Sequence, residues 1–316
     1  MQNVRDLITP EALALIRSVA TQGSMAAAAR EMGLVPSAVT YRVRQIEDAL
    51  DVLLFDRSAR QARITPAGQE LLRGGEQVLQ ELDAVARRVQ RVATGWEPQL
   101  TIAVDSLISK LTMFELAEKF FASGADGKPP PTRLRIQGET LSGTWHALLD
   151  GEADLGIGGV IEGMAQPGVQ AKLLGDVPFV FAVAPHHPLA AAPDPLSDAM
   201  IQQHRIVAVA DSTRRKQSVT VGILPGQDVL TVSTMPDKLA AQLRGLGCGF
   251  LPHCIAHPHI EAGHLVVKST ERIVRTPTAH YAWHIPAKGQ MGKALAWWIE
   301  QLSHASTREA LLHKHF

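Results

Sequence analysis

The first fifty residues place apolar side chains at the three- and four-residue spacing of helices that bury one face. The first pattern predicts a helix over 9–20 with Thr9 as its N-cap. Its inner face carries apolar residues at positions 12, 13, 15, 16, 19 and 20. Ser24 has the side chain of an N-cap and precedes an alanine-rich second helix, which we expect to end at Gly33 in a left-handed C-cap.

A third helical pattern begins near Pro36, a residue suited to a first helical turn. Its predicted inner face consists of Ala38, Val39, Val43, Ile46 and Leu50. Its outer face is polar and consists of Ser37, Thr40, Tyr41, Arg42, Arg44 and Gln45. The segment that follows reads LLFDRSARQARITP, and it predicts two short strands around a polar tip that carries arginines, an arrangement known as a wing.

From Pro66 to about Val92 the pattern predicts one long helix with a heptad repeat. Its heptad positions are Leu71, Gly75, Val78, Leu82, Val85, Val89 and Val92. The glycine pair Gly74–Gly75 weakens the early part of this seam. Because such a helix has no predicted partner in its own chain, the pattern predicts a homodimer.

The pattern changes beyond the segment TGWEPQ, residues 94–99, which is expected to be a hinge. Apolar strands now alternate with helical stretches, which indicates a mostly parallel α/β sheet. We expect two linked α/β lobes with a cleft between them. The first lobe would comprise about 95–172 and 268–316, and the second about 173–267.

Composition narrows the class of protein. A chain of 316 residues with 46 % apolar residues has room for roughly two domains with sizeable cores. The 31 basic and 31 acidic residues balance, which leaves room for a local basic patch. The sequence shows no apolar run near membrane-spanning length and no secretory signal, and its two cysteines cannot form a disulfide framework. We therefore expect a cytoplasmic protein without a membrane partner.

Two helices joined by a tight turn, the second polar on its outer face, form the helix-turn-helix arrangement, whose second helix fits the DNA major groove. The alternative is a helical hairpin with a solvated charged face. The neighbouring wing arginines and the dimerising helix favour the DNA-binding interpretation. The chain would then consist of three parts. Residues 1–65 form a winged helix-turn-helix that is all α apart from its wing, residues 66–94 form a linker helix, and residues 95–316 form a further domain.

The stretch GSMAAAAREMGLVPSAVTYRVRQIEDALDVLLFDRSARQARITPAGQELL resembles the LysR-type transcriptional regulators almost position by position, above all in LDVLLFDR followed by ITPAG. Length, linker helix and α/β tail also fit. The resemblance implies a homotetramer, controlled by an effector between two lobes like those of periplasmic binding proteins, with RNA polymerase as a further partner. It implies DNA contacts by Ser24, Pro36, Ser37, Thr40, Tyr41, Arg42, Arg44, Arg57, Arg60 and Arg63. Pro36, Thr40 and Tyr41 depart from the residues common in the family, so the base preference of relatives does not transfer.

Ligands of open α/β sheets bind beyond the carboxyl ends of the strands. Applied to this chain, that rule predicts an effector site formed by Asp105, Ser106, Glu139, Thr140, Gly158, Gly159, Ser212, Thr213, Arg214, Thr234 and Phe250. Each hydroxyl residue could instead be an ordinary helix cap. Arg214 begins a run of cations that is either a solvated face or a counter-ion for a carboxylate. Asp105 and Glu139 oppose a purely anionic ligand, so the chemistry of the ligand stays open. Our hypothesis is that a small organic acid or an aromatic compound binds here.

Other classes of function find less support in the sequence. The segment PHCIAHPHIEAGH contains metal-ligand residue types, but two prolines break it and no metal-ligand spacing recurs. Cys248 and Cys254 are a candidate redox pair, although a strand exit is expected between them. Enzyme motifs such as GxSxG and the P-loop do not occur. We therefore expect no cofactor, no metal and no catalysis. A solute receptor whose N-terminal helices only oligomerise would leave the wing arginines without a role.

Overall fold

The computed structural model describes residues 4–56, 62–124, 127–160, 167–213, 221–272, 276–285 and 291–315. The chain divides into two compact units, Met1–Val89 and Gln90–Phe316, and the division falls within a long helix. Each unit has its own hydrophobic core.

The N-terminal unit consists of short helices and a two-stranded sheet that precede this long helix. The elements are α1 (Val4–Leu7), α2 (Pro10–Gln22), α3 (Met25–Glu31), α4 (Pro36–Leu50), β1 (Phe55–Asp56), β2 (Arg63–Ile64) and α5 (Pro66–Thr94). The predicted caps are confirmed, since Thr9 accepts a hydrogen bond from the N–H of Ala12 and Ser24 accepts one from that of Ala27. Gly33 has the expected left-handed conformation, with φ +66°, just beyond the end of α3.

The inner face of α4 packs onto α2 and α3. Val39 and Val43 are fully buried and Ile46 nearly so, whereas Ala38 and Leu50 are only partly buried. Ala28 and Ala29 of α3 are also fully buried, and their small side chains allow α4 to approach closely. Burial of a Val or Ile side chain contributes about 1.5–3 kcal/mol, so this face fixes the orientation of α4.

The first turns of α5 belong to the N-terminal core. Leu71 and Leu72 pack against that core, and a Cβ on Gly75 would lie 2.5 Å from Leu13 Cδ2. The expectation that Leu71 and Gly75 belong to the dimer seam, and that α5 has no partner in its own chain, is therefore wrong for these turns. The later heptad positions remain exposed, and they are Val78, Leu82, Val85, Val89 and Val92.

The first lobe of the second unit is a five-stranded sheet with helices on its faces. Its strands are β3 (Gln99–Asp105), β4 (Arg133–Glu139), β5 (Leu155–Val160), β6 (Val169–Asp176) and β12 (Thr278–His284), in the order β4-β3-β5-β12-β6. Its helices are α6 (Lys110–Ala122), α7 (Gly143–Leu149), α11 (Lys293–Ser303) and α12 (Ala305–His313). β3 runs parallel to β4 and β5, whereas β12 runs antiparallel to both of its neighbours.

The second lobe contains two smaller sheets. Its strands are β7 (Phe179–Val183), β8 (Ile206–Val209), β9 (Val229–Val232), β10 (Gly249–Pro252) and β11 (Val266–Lys268), and its helices are α8 (Asp198–Gln202), α9 (Met235–Leu243) and α10 (His253–Glu261). β8 and β9 are parallel, but β7 lies antiparallel between β10 and β11. The expectation of a mostly parallel sheet is therefore wrong here. β7 follows β6 closely in the chain but belongs to a different sheet, in which both of its neighbours run antiparallel to it.

The chain passes from the first lobe to the second, and back again, a few residues later than expected. β6 pairs with β12 up to Asp176, so the first lobe extends beyond residue 172. β11 pairs with β7, and Thr270 forms a bridge with Leu196, so the second lobe extends beyond residue 267. The pairing partners of β6 and β11 lie far away in the sequence, which is why local pattern misplaced both crossings.

Two further segments differ from expectation. The segment 94–99 is anchored to the second unit and is not a free hinge, because the Glu97 carboxylate accepts hydrogen bonds from the N–H groups of Ala294 and Leu295. The histidine-rich segment, which its two prolines were expected to break, forms α10. Pro252 is the N-cap of α10, and Pro258 lies inside it.

Candidate nucleic-acid interface and ligand cleft

The outer face of α4 is exposed and polar. Pro36, Ser37, Arg42 and Arg44 are exposed, and Tyr41 is 62 % exposed. The structure therefore brings these predicted contact residues together on one face, as the spacing indicated.

Three side chains on this face already take part in hydrogen bonds. The half-buried Thr40 donates its hydroxyl hydrogen to the carbonyl oxygen of Pro36 at 3.0 Å. Gln45 donates from Nε2 to the Tyr41 hydroxyl at 3.0 Å. The Thr40 hydroxyl hydrogen is thus already used, and its oxygen can only accept a further hydrogen bond.

Arg42 lies within electrostatic range of α2. The pKa of the exposed Glu11 carboxyl is lowered, first by hydrogen bonding to its own backbone N–H and to the Thr9 hydroxyl, and then by the positive charge of Arg42. Arg42, which is predicted to contact DNA bases, therefore interacts electrostatically with Glu11 of α2, the helix on which α4 packs.

A buried carboxylate of α4, that of Glu47, binds backbone N–H groups at the start of the wing. Glu47 is 5 % exposed, and its Oε1 accepts hydrogen bonds from the N–H groups of Leu54 and Phe55. The sequence does not indicate this role, because a glutamate beside the apolar face carries no sign of its partner seven residues later. β1 and β2 pair antiparallel as the wing predicts, and Arg63 is exposed on β2. Arg57 and Arg60 lie outside the described residues.

Ser24 has a structural role at the start of α3. Its side chain is half-buried, and its hydroxyl accepts the N–H of Ala27 at 3.4 Å. Val35, with a side chain that has no hydrogen-bonding group, occupies the N-cap of α4 and is 63 % exposed. The expectation that Ser24 contacts DNA stays a prediction.

The strand ends of the two lobes meet through direct hydrogen bonds. Ser212 donates its hydroxyl to Glu139 Oε2 at 2.5 Å and accepts the N–H of Thr140 at 2.9 Å. Thr140 donates from Oγ1 to the carbonyl of Ala210 at 2.6 Å. The rule of carboxyl strand ends therefore placed Glu139, Thr140 and Ser212 together correctly.

Asp105 lies buried beside this contact, 6 % exposed at the end of β3. Its Oδ1 accepts the N–H of Leu107 at 2.9 Å. Burial raises the pKa of Asp105 to about 7, and the negative charges of Asp211 and Glu139 act in the same direction. The described part of the cleft is thus rich in carboxylates, as the sequence indicated.

Three residues of this contact were not predicted. Ser142 donates its hydroxyl to Asp211 Oδ2 at 2.6 Å, and His146 Nδ1 lies 2.7 Å from the hydroxyl of Thr213. Ser142 is the N-cap of α7, and His146 lies one turn later in the same helix. Asp211 is the last residue of the segment RIVAVAD. The rule of strand ends selected the residues on either side of them, so it could have found Ser142 and Asp211 with a window two residues wider.

The remaining predicted effector residues have other local roles. Gly158 packs against Ile108 and the Cβ of Asp105. Thr234 caps α9 by accepting the N–H of Asp237, while the next N–H, that of Met235, donates to Ser106 Oγ at 3.3 Å.

Phe250 is half-buried and stacks edge-on against Phe181 in the core of the second lobe, so it supports that lobe from within. Arg214 lies outside the described residues. Gly159 lies beside Thr144 in the first lobe.

Neither cysteine is placed to react readily. Burial raises the pKa of Cys248 to about 11 and also raises the pKa of Cys254, which disfavours the thiolate form in both. Within the described ranges, no cluster of three or more His, Cys, Asp or Glu side chains is arranged to hold a metal ion. In the same ranges, none of the helices combines the length and apolar character that crossing a membrane requires.

Family models match both units. Residues 10–69 match the bacterial regulatory helix-turn-helix protein of the lysR family, and residues 93–306 match the LysR substrate binding domain. The second match alone covers more than half of the chain.

Curated relatives match over nearly the whole length. The transcriptional regulator YhaJ of Escherichia coli O157:H7 is 35 % identical over 295 residues, which cover 93 % of this chain and 96 % of YhaJ. The transcriptional activator AllS of Klebsiella pneumoniae is 32 % identical over 266 residues, which cover 82 % of this chain and 95 % of AllS.

Solved structures show the same fold at lower identity. CbnR in complex with its target DNA has a TM-score of 0.60 at 16 % identity, covering 94 % of this chain and 99 % of CbnR. An AphB variant has a TM-score of 0.55 at 19 % identity, covering 93 % and 98 %. The chain belongs to the LysR family of DNA-binding transcriptional regulators, with an N-terminal helix-turn-helix and a C-terminal effector-binding domain.

Proposed function

We propose that this chain binds promoter DNA with α4 in the major groove and with the wing on the adjacent backbone. The observation that carries the proposal is the division of α4 into a buried apolar face and an exposed face of Ser37, Tyr41, Arg42 and Arg44. Arginine donors match guanine edges and phosphates, and a helix fits the major groove. The structural neighbour CbnR was solved with its target DNA, which supports the same docking here.

Within that docking, the residues divide by role. We assign base contacts to Ser37, Thr40, Tyr41 and Arg42, since they lie on the outer side of the first two turns of α4. We assign backbone phosphate contacts to Arg63 and to the other wing arginines. Arginine–phosphate contacts fix position without reading sequence.

We infer that two copies pair through the exposed heptad positions of α5 and that two such dimers form a tetramer on DNA. Val78, Leu82 and Val85 are each about half exposed, and Val92 is 85 % exposed. Apolar side chains at heptad spacing are stable when a second helix covers them. A dimer also presents two copies of α4 to two half-sites of an operator.

We infer that a small molecule, an organic acid or an aromatic metabolite, binds where the two lobes meet and controls promoter binding. Support comes from the convergence of Ser106, Glu139, Thr140 and Ser212 at the strand ends. RNA polymerase is the further partner that such a regulator contacts at a promoter. A role on chromosomal DNA places the protein in the cytoplasm.

The experiment that tests this function is fluorescence anisotropy with DNA flanking the protein's own gene, at several salt concentrations. Sequence-specific binding that weakens steeply with salt supports the proposal, because phosphate contacts release counterions. Binding no tighter than to random DNA of equal length would contradict it.

A further inference from the structure

A glycine at the start of α7 makes room for a side chain of the other lobe. A Cβ on Gly143 would lie 1.9 Å from Ser212 Oγ and 2.8 Å from Glu139 Oε2. The φ of Gly143 is not positive, so its backbone does not require glycine. A side chain at this position would therefore collide with the Ser212 hydroxyl.

The Ser212 hydroxyl satisfies one donor and one acceptor at once. It donates to the Glu139 carboxylate and accepts the N–H of Thr140. Its oxygen also lies 3.2 Å from the Thr140 carbonyl oxygen. Glu139 and Thr140 are 9 % and 4 % exposed, whereas Ser212 is exposed. A surface side chain thus reaches down to two buried polar groups.

Only some chemical groups can replace this hydroxyl. An ammonium group donates to Glu139 but has no lone pair to accept the N–H of Thr140. A carboxylate accepts that N–H but cannot donate, and it would face the negative charges of Glu139 and Asp211. A hydroxyl does both without adding charge.

We propose that Glu139 and the N–H of Thr140 form a hydroxyl-binding subsite, that Ser212 fills it in the effector-free chain, and that a hydroxyl-bearing effector binds by displacing Ser212. Ser212 is then an autoinhibitory contact that joins the lobes until the effector takes its place. The flanking contacts of Thr140 with Ala210, and of Ser142 with Asp211, keep Ser212 nearby. This inference rests on the proposed effector function of the cleft.

The contact is tested by hydrogen exchange at the Thr140 amide in the full-length protein. Ser212→Ala removes the acceptor, and Gly143→Ala excludes the hydroxyl sterically, so both should speed exchange about fivefold to tenfold. Gly138→Ala is the matched control, because among the described residues its Cβ would meet nothing within 4 Å. Circular dichroism checks that each variant folds. If Gly143→Ala does not fold, the exchange rate in Ser212→Ala alone decides the test. Wild-type exchange in Ser212→Ala would overturn the proposal.

The chemical class is tested by filling the space left in Ser212→Gly. Methanol, methylammonium and formate are compared at concentrations that leave wild-type exchange unchanged. Slower Thr140 exchange with methanol alone supports a hydroxyl subsite. Slowing by methylammonium or formate, or by none of the three, overturns it.

These measurements use no DNA, so they separate this inference from the proposed function. A failed exchange test leaves promoter binding standing. If the wild-type protein shows no sequence-specific DNA binding, the proposed promoter binding is overturned, and the inference about the hydroxyl subsite is unaffected.

Discussion

The carboxylate of Glu47, near the end of α4, accepts a hydrogen bond from the N–H of Leu54 at 2.9 Å, just before the wing begins. Both residues are buried, and the same oxygen also accepts the N–H of Phe55 at 3.3 Å. A buried N–H group that loses its acceptor pays its full desolvation cost. Glu47 therefore determines where the wing leaves the helix that we assign to the major groove.

Glu47→Ala should lower the free energy of unfolding of the N-terminal unit by about 1–3 kcal/mol, because two buried N–H groups lose their acceptor. Glu47→Gln keeps an acceptor oxygen and should lose less. Urea unfolding followed by circular dichroism gives the difference, with the exposed neighbour Asp48→Ala as control. Equal stability of Glu47→Ala and Asp48→Ala would contradict this role.

The adjacent glycines of α5 should respond in opposite directions to alanine. Gly75→Ala should destabilise by about 1–3 kcal/mol, since its Cβ would press on Leu13 in a packed core. Gly74→Ala meets open space among the described residues and should stabilise by up to about 1 kcal/mol through helix propensity. Thermal unfolding of the two variants side by side is the measurement. Stabilisation by both would show that α5 does not pack on α2.

Local periodicity predicted the N-terminal unit well. The burial of Val39 and Val43 and the exposure of Tyr41 follow from a helical repeat that needs no knowledge of distant residues. The same repeat misassigned Gly75, because a heptad seam and the packing surface on Leu13 give the same spacing. Periodicity finds a face and does not identify what covers it.

The second unit was harder to predict, since its contacts join distant parts of the chain. β7 has the apolar pattern of a buried strand, which is the same for either direction of pairing. Ser142 and Asp211 are 69 residues apart in the sequence, so helical or strand periodicity does not indicate their contact. The strand-end rule succeeded in bringing Glu139 and Ser212 together because it is a rule about sheet topology. Phe250 packs edge-on against Phe181, and its role at the effector site stays a prediction.

Two arginines should affect DNA binding differently. Arg42→Ala should relax or abolish operator choice, since an Arg–guanine pair contributes about 1–3 kcal/mol of discrimination. Arg63→Ala should weaken binding to all sequences alike and reduce the salt slope by about 1. Anisotropy titrations of operator and scrambled DNA across a salt series separate the two effects. Unchanged binding by both variants would contradict the assigned docking.

Charge in the exposed stripe of α5 should separate the dimer. Val85→Asp places a carboxylate where a second helix would cover a valine that is 46 % exposed in the single chain. Sedimentation equilibrium should show a lower association state than wild type. Gln77→Asp, at an exposed polar position of the same helix, should leave association unchanged. Assembly of Val85→Asp like that of wild type would remove α5 from the interface.

Asp105 should make the effector-binding domain less stable as the pH rises towards neutrality. Its pKa is raised from 3.8 to about 7 in the folded chain, first by burial and further by the charges of Asp211 and Glu139. Between those two values the folded state binds more protons at this site than the unfolded state, so stability falls from about pH 4 to pH 7 and then levels off. Asp105→Asn keeps an oxygen to accept the N–H of Leu107 but carries no charge, so it should be more stable than wild type at pH 8 and similar at pH 4. Denaturant unfolding across this range, with Asp150→Asn as an exposed control, measures the difference; a wild-type pH profile in Asp105→Asn would mean that the carboxyl is charged at no cost in the folded chain.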